Sequence, residues 1–458
     1  RPGIKPCFSM KPRILTNGVI VSDGFRFVGS IVVDKGLITK VDFGRIDTST
    51  IDTENYDVLP CDGKIILPGL IDEHVHFRDP GLTEKGDMAT ESRAALAGGI
   101  TSFFDMPNTN PATTSIEQWE RKMERAAESS AINYSFFLGA TNNNLDEILH
   151  ADYTRIPGVK LFMGSSTGGM LVDNDSTIHR LFANFGRIIA CHAESEKEIA
   201  ANRARLQQQF PEGIPVEYHS AIRSAEACFK ASAKAVELAR ATGARLHLMH
   251  ISTAKELELL TPGPVTAKRI TAETCPHYLY LTDKSVAQTG GLTKCNPALK
   301  TEEDRRQLLR AVADGRIDTI GTDHAPHLLA QKQGNALTAA SGMPSVQFAL
   351  PVMMHLAGKG YFTLEDVVER MAAAPAKLYG ISRRGFIRQQ YMADLVIVNP
   401  DSEYEITRES VLSPCGWSPY EGLRTRFRVE QTWVNGEPAY VDGEFTGRQT
   451  PLAVRFDI

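Results

Sequence analysis

The sequence predicts an α/β protein: a (β/α)8 TIM barrel, with a small β-sandwich domain formed by both chain ends. Three observations carry this expectation. Between about residue 65 and residue 380 one theme recurs, a short apolar run followed by a loop and a helical pattern. Both ends of the chain read instead as short strands broken by turn residues. Titratable residues cluster at the ends of the apolar runs, where barrel enzymes place their chemistry.

Eight runs can be counted: Leu70 to His76, Thr101 to Met106, Ile132 to Ala140, Val159 to Gly164, Arg187 to Glu194, Leu246 to Ser252, Ile270 to Leu279 and Thr319 to His327. Continuous apolar runs of this length suit parallel strands buried on both faces, with amphipathic helices covering the outside. The helices are legible between them. Glu302 to Asp314 carries Leu308, Leu309 and Val312 on one stripe and is followed by Gly315, a C-terminal stop signal. Thr363 is the expected N-cap of the helix opening at Leu364.

The ends follow a different pattern. Residues 11–64 contain Gly18-Val19-Ile20-Val21, Ser30-Ile31-Val32-Val33 and Gly36-Leu37-Ile38, and residues 392–445 contain Leu395-Val396-Ile397-Val398 and the hairpin signal Val434-Asn435-Gly436-Glu437. Each piece is too short to bury a core alone, so the two are expected to pair. The expected division is residues 1–66 and 386–458 for the small β domain and 67–385 for the barrel.

The 458 residues carry a formal charge of −5, with a pI near 6.2, which provides no basic footprint for nucleic acid. Seven cysteines at scattered spacings, without a Cys-x-x-Cys pair, fit a reduced cytoplasmic protein. No apolar run approaches the roughly 20 residues needed to span a bilayer. Met10, followed by Lys11-Pro12-Arg13, reads as a natural start, which would leave residues 1 to 9 without function.

The chemistry begins at His74-Val75-His76-Phe77-Arg78. An extended backbone puts both imidazoles on one side, forming a metal grip, and Arg78 continues the alternation where a guanidinium could hold a carboxylate. Taken alone, a His-x-His is more often a polar strand end. Further along, Lys160 lies in the fourth run, His192 in the fifth, His250 in the sixth and Asp323 in the eighth. Four imidazoles and a carboxylate exceed what one tetrahedral zinc with an open position needs, so two metals are implied. Lys160 is the candidate bridge. Its ammonium would repel two dications by several kcal/mol even at an effective dielectric of about 20, whereas the neutral amine can take up carbon dioxide to give an anionic carbamate. Of the other histidines, His150, His179, His219, His247 and His355 are assigned to structure.

These residues bring out a resemblance. The stretches Asp72-Glu73-His74-Val75-His76-Phe77-Arg78-Asp79-Pro80-Gly81, Asp105-Met106-Pro107-Asn108-Thr109-Asn110-Pro111 and Thr322-Asp323-His324-Ala325-Pro326-His327 resemble, in identity and order, those of the amidohydrolase superfamily. Within it the chain is similar to the long-chain dihydroorotases over nearly its whole length. The resemblance implies a zinc-dependent cyclic amidohydrolase that reversibly closes N-carbamoyl-L-aspartate to L-dihydroorotate in pyrimidine biosynthesis. It implies two Zn2+, bridged by carboxylated Lys160 and a hydroxide. One ion would take His74, His76 and Asp323, the other His192 and His250, with Asp323 also the catalytic proton carrier. Arg78, Asn108 and His327 would bind the substrate carboxylate, with Asn296 and the backbone of Gly342, Met343 and Pro344 flanking the ring. A homodimer and association with aspartate transcarbamoylase are also within the family's range. Two departures stand out: Asn296-Pro297-Ala298-Leu299-Lys300 replaces the family's Asn-Pro-Pro-Leu-Arg, and Leu328-Leu329-Ala330-Gln331-Lys332 replaces a more acidic stretch. Competing expectations are an allantoinase, a dihydropyrimidinase or hydantoinase, and a ligand-free relative that serves only as a scaffold for the transcarbamoylase. Filled ligand positions argue against the scaffold, and Arg78 argues against rings without a carboxylate.

Overall fold

The computed structural model describes residues 11–164 and 170–457; the expected start at Met10 lies outside them. Eight parallel strands form the barrel: β1 (Leu70–Val75), β2 (Ile100–Asp105), β3 (Asn133–Phe136, resuming as Leu138–Gly139), β4 (Val159–Met163), β5 (Ile188–Ala193), β6 (Arg245–Leu248), β7 (Ile270–Thr274) and β8 (Thr319–Ile320). Ladders join β1 to β2 and β2 to β3, and run from Leu138–Gly139 through β4 to β8. The ring closes where Val75 bridges His324 and the His76 amide donates to the His324 carbonyl at 2.7 Å.

Two of the apolar runs are shorter as strands than their sequence suggests. Ile270 to Leu279 leaves the sheet at Thr274 because Pro276, which has no N–H for a ladder, starts a helix at its favoured first position. Thr319 to His327 is a strand only at Thr319 and Ile320, and beyond them it keeps single bridges from His324 to Val75 and Met343. The expected caps are present: Thr301 and Gly315 bound the helix Glu302–Asp314, and the Thr363 side chain accepts from the Asp366 amide.

The two chain ends share a nine-stranded sheet in which Ile65–Pro68 pairs antiparallel with Leu395–Asn399. Its core includes Leu15, Ile20, Ile31, Ile66, Leu395 and Trp433. The Asn435-Gly436 turn joins Arg428–Val434 to Glu437–Val441, both turn residues having positive φ as the tight hairpin requires. Beyond this sheet the chain returns to the barrel. Val454 and Phe456 are buried, their amides donate to Tyr134 and Thr154, and the Phe456 ring lies 5.5 Å from Phe104. The six described cysteines are buried and unpaired. Among the described residues, no helix is long and apolar enough to cross a membrane.

Candidate metal centre and substrate cavity

A cavity of about 590 Å3 lies at the C-terminal ends of the barrel strands. His74, His76, Arg78, Asn108, Lys160, His192, His250, Asn296, Asp323, His327 and Gly342 all line it. Met343 and Pro344 are buried but do not line it. Residues scattered over more than 260 positions of sequence thus converge because several barrel strands and the loops beyond them deliver side chains to the same mouth.

The first group is His74, His76 and Asp323, whose ligand atoms lie within 4.8 Å of one another. Each imidazole is oriented from behind. His74 Nδ1 is 2.7 Å from Glu273 Oε1, and its Nε2 is 3.2 Å from Asp323 Oδ1. His76 Nδ1 is 2.9 Å from Asn108 Oδ1, and its Nε2 is 3.1 Å from the same Asp323 oxygen. An acceptor on Nδ1 keeps a proton there and leaves Nε2 as the nitrogen facing Asp323, where a metal ion would take the place of the second proton. Burial opposes charge on His74, but Glu273 and Asp323 lift its pKa to about 9. Asp323 falls well below the usual carboxylate range, because His74 and His76 outweigh the effect of burial. A site that draws a proton this strongly also suits a metal cation, since the two compete for the same lone pairs.

The second group is His192 and His250. His192 Nδ1 faces His250 Nε2 at 2.8 Å, and burial lowers the pKa of both, His250 the more strongly. With Glu194 3.0 Å from His192 Nε2, the pair is satisfied by an N–H···N hydrogen bond between neutral rings, and both rings line the cavity as donors a cation could use. Lys160 lies between His76 and His192 in sequence and lines the same cavity. It is 1% exposed, its Nζ is 3.0 Å from Met249 Sδ and 5.0 Å from the centre of the Phe162 ring, and it has no carboxylate partner among the described residues. Burial lowers its pKa and favours the neutral amine. His74, His76 and Asp323 therefore form a donor group that fits a metal ion, and His192, His250 and Lys160 line the same cavity.

Strain is concentrated here. Arg78, His250 and Asp323 all follow strand ends with φ of 66°, 40° and 48°, in the left-handed region that costs a non-glycine residue about 1 kcal/mol or more. Asp72 helps to hold this geometry, accepting from the amides of His74 and Thr322 and from the Thr322 hydroxyl, so it ties the mouths of β1 and β8 together.

The opposite side of the cavity is cationic. Arg78 is buried, with its Nε donating to the Pro326 carbonyl at 3.1 Å and Nη2 lying 3.1 Å from His327 Nε2. It pairs with no carboxylate among the described residues, and burial lowers its pKa to about 10. His327 Nε2 also lies 2.9 Å from the Ser341 carbonyl, and its Nδ1 is buried without a partner. Lys85, Arg203, Arg223 and Lys294 add further cations, whereas Asp323 is the acidic residue among those lining the cavity. Asn296 Oδ1 is 2.9 Å from His219 Nε2. His219, which sequence reading assigns to structure, is therefore a wall of the cavity. Burial drives its pKa down to about 3.

Several supporting residues escape the sequence reading. Glu273 grips His74, and its only sequence signal is an acid within an apolar run. Below it, Glu73, His247 and Glu273 form a wholly buried cluster, with His247 Nε2 3.0 Å from Glu73 Oε1. Burial lifts Glu273, while His247 outweighs burial to hold Glu73 down. Glu194 lies 2.6 Å from Arg223 and 3.0 Å from His192 Nε2, linking the second group to the cavity wall. His324, inside the third motif, turns away from the cavity and pairs with Glu91 at 2.5 Å.

Known proteins share this architecture. A Methanosarcina acetivorans protein named dihydroorotase is 32% identical over 433 residues, spanning 91% of this chain and 90% of its own. A Bacillus velezensis protein named allantoinase is 33% identical over 399 residues, spanning 86% and 87%. The structure of an L-hydantoinase (dihydropyrimidinase) from Arthrobacter aurescens superposes with a TM-score of 0.89 at 26% identity, covering 97% of this chain and all of that one. The amidohydrolase family profile matches residues 65–439, from the last strand before the barrel into the C-terminal hairpin. By its barrel, by the donors gathered at the barrel mouth and by this match, the chain belongs to the amidohydrolase family.

Proposed function

We propose that this cyclic amidohydrolase is a dihydroorotase, interconverting N-carbamoyl-L-aspartate and L-dihydroorotate. The observation that carries the reading is Arg78. It is a buried guanidinium at the cavity wall with two N–H groups engaged by Pro326 and His327 and no acid opposite. Leaving such a group without an anion is costly, and a ring carboxylate would pair with it bidentately. The excess of cations over acids in the cavity supports the same class of substrate.

In this reading His74, His76 and Asp323 would hold one zinc ion and His192 and His250 the other, with Lys160, as its carbamate, a further ligand. Bound there, the ions would polarise the ring amide carbonyl and acidify water. Asp323 takes the proton of the attacking water on its carboxylate and delivers it to the departing amide nitrogen. Arg78 and His327 fix the ring by its carboxylate, beside Asn108, whose Oδ1 faces His76 Nδ1 on the cavity wall. Ring closure turns two carboxylates into one and consumes a proton, so lower pH favours dihydroorotate.

Allantoinase is the second reading, favoured by relatives such as the Bacillus velezensis protein. Allantoin has no carboxylate to set against Arg78. The test is turnover of dihydroorotate, allantoin, hydantoin and dihydrouracil in parallel, with zinc and bicarbonate, by wild type and Arg78→Met. The expected result is preference for dihydroorotate, and a loss in the variant of about 100-fold or more in kcat/KM for that ring at unchanged zinc content, as for a lost buried charge pair worth about 3 kcal/mol. Preference for another ring, or unchanged kinetics in the variant, would refute the assignment.

A further inference from the structure

Behind one wall of the cavity lies a buried cation that touches no acid. Lys332 ends a short turn, Leu329–Lys332. It is 1% exposed and does not line the cavity. Its ammonium donates to three backbone carbonyls, those of Lys294 at 2.9 Å and of Ala340 and Gly342 at 2.7 Å each. All three acceptors belong to residues that do line the cavity. The Trp417 ring centre lies 5.6 Å from the ammonium, and the Trp417 indole N–H donates to the His327 carbonyl at 2.8 Å.

An ammonium has three donors and no fork geometry, so three converging carbonyls satisfy it completely. Burying it has a desolvation cost that an apolar side chain of similar volume would avoid, and no ion pair here offsets that cost. What the charge secures is the relative position of two separate segments, residue 294 and residues 340–342. The wall it braces is crowded. The Gly342 amide donates to the Lys294 carbonyl, and a Cβ on Gly342 would come within 3.0 Å of His327 Nε2. A shift of this wall would therefore move His327 against Arg78.

We infer that Lys332 is a positioning residue for substrate: by clasping the carbonyls of Lys294, Ala340 and Gly342 from behind, it sets the distance between this wall and the carboxylate contacts Arg78 and His327. The inference rests on the dihydroorotase reading for the identity of the ring, not for the existence of the clasp.

The experiment compares wild type with Lys332→Met as zinc-loaded full-length proteins, recording kcat, KM, zinc content and thermal midpoint. The expected outcome is a KM for dihydroorotate raised about 10-fold or more, with kcat within about threefold and zinc unchanged. A brace serving stability alone would lower the thermal midpoint and leave KM in place, and a folded Lys332→Met with wild-type KM overturns the inference. Should the methionine variant not fold, Lys332→Gln retains polar donors but is too short to reach all three carbonyls. The same rise in KM is expected, and wild-type KM in that variant overturns the inference equally. If wild type prefers another ring, the substrate reading fails, and the comparison is made on that ring, where equal KM values for variant and wild type count against Lys332.

Discussion

Glu273 holds His74 from behind at 2.7 Å, and the second oxygen of its carboxylate is buried without a partner. The contact fixes the proton on His74 Nδ1, so the ring presents a lone pair rather than an N–H to the cavity. Glu273→Ala leaves that N–H buried with no acceptor and allows the ring to rotate. The expected outcome is zinc affinity about 10- to 100-fold weaker, read by chelator competition, because removal of such a supporting contact has effects of this size. Wild-type affinity in the variant would show that strand geometry alone orients His74. At this scale the sequence is partly legible. His74 and His76 declare themselves by spacing, but Glu273 lies 199 positions from His74 and only closure of the barrel brings β7 and β1 within reach of each other.

The loop after β1 carries the substrate contact, and its shape depends on Gly81. Arg78 has φ of 66°, the Leu82 amide donates to the Arg78 carbonyl, and the Asn110 amide donates to the Pro80 carbonyl. Gly81 has φ of 86°, and a Cβ there would run into the Asn110 carbonyl. Steric conflict and the left-handed backbone act together, so Gly81→Ala is expected to destabilise the protein by about 2 kcal/mol or more. Urea unfolding checks this, and a change below about 0.5 kcal/mol, the range of an ordinary surface substitution, would contradict it. Elements with regular periodicity were legible in advance, as with the helix Glu302–Asp314 and its caps. The run from Thr319 to His327 was not, because apolar composition marks burial without distinguishing a strand from a packed loop.

Across the whole molecule, the C-terminal end returns to the barrel after completing the shared sheet. Phe456 is 3% exposed and packs with Phe104, and its amide donates to Thr154. Phe456→Ala is expected to cost about 3–5 kcal/mol, the range for truncating a buried aromatic. Urea unfolding provides the measurement, and a loss under about 1 kcal/mol would mean that the tail adds nothing to the barrel. The terminal residues Val454 and Phe456 gave no strong signal in sequence, since two apolar residues in a short polar stretch have no period to read.

The sequence by itself determined the fold class, the family and the motifs that carry the candidate metal ligands. Those features follow from local rules: strand alternation, helix caps, turn residues, and motifs whose chemistry is carried by adjacent side chains. Only the tertiary structure decided which atoms face one another: Glu273 behind His74, Asn108 on His76, His219 on the cavity wall and Lys332 beneath Gly342. These pairings join residues far apart in sequence through the register of different strands and the packing of loops, and no local pattern encodes a contact that forms only when the barrel closes.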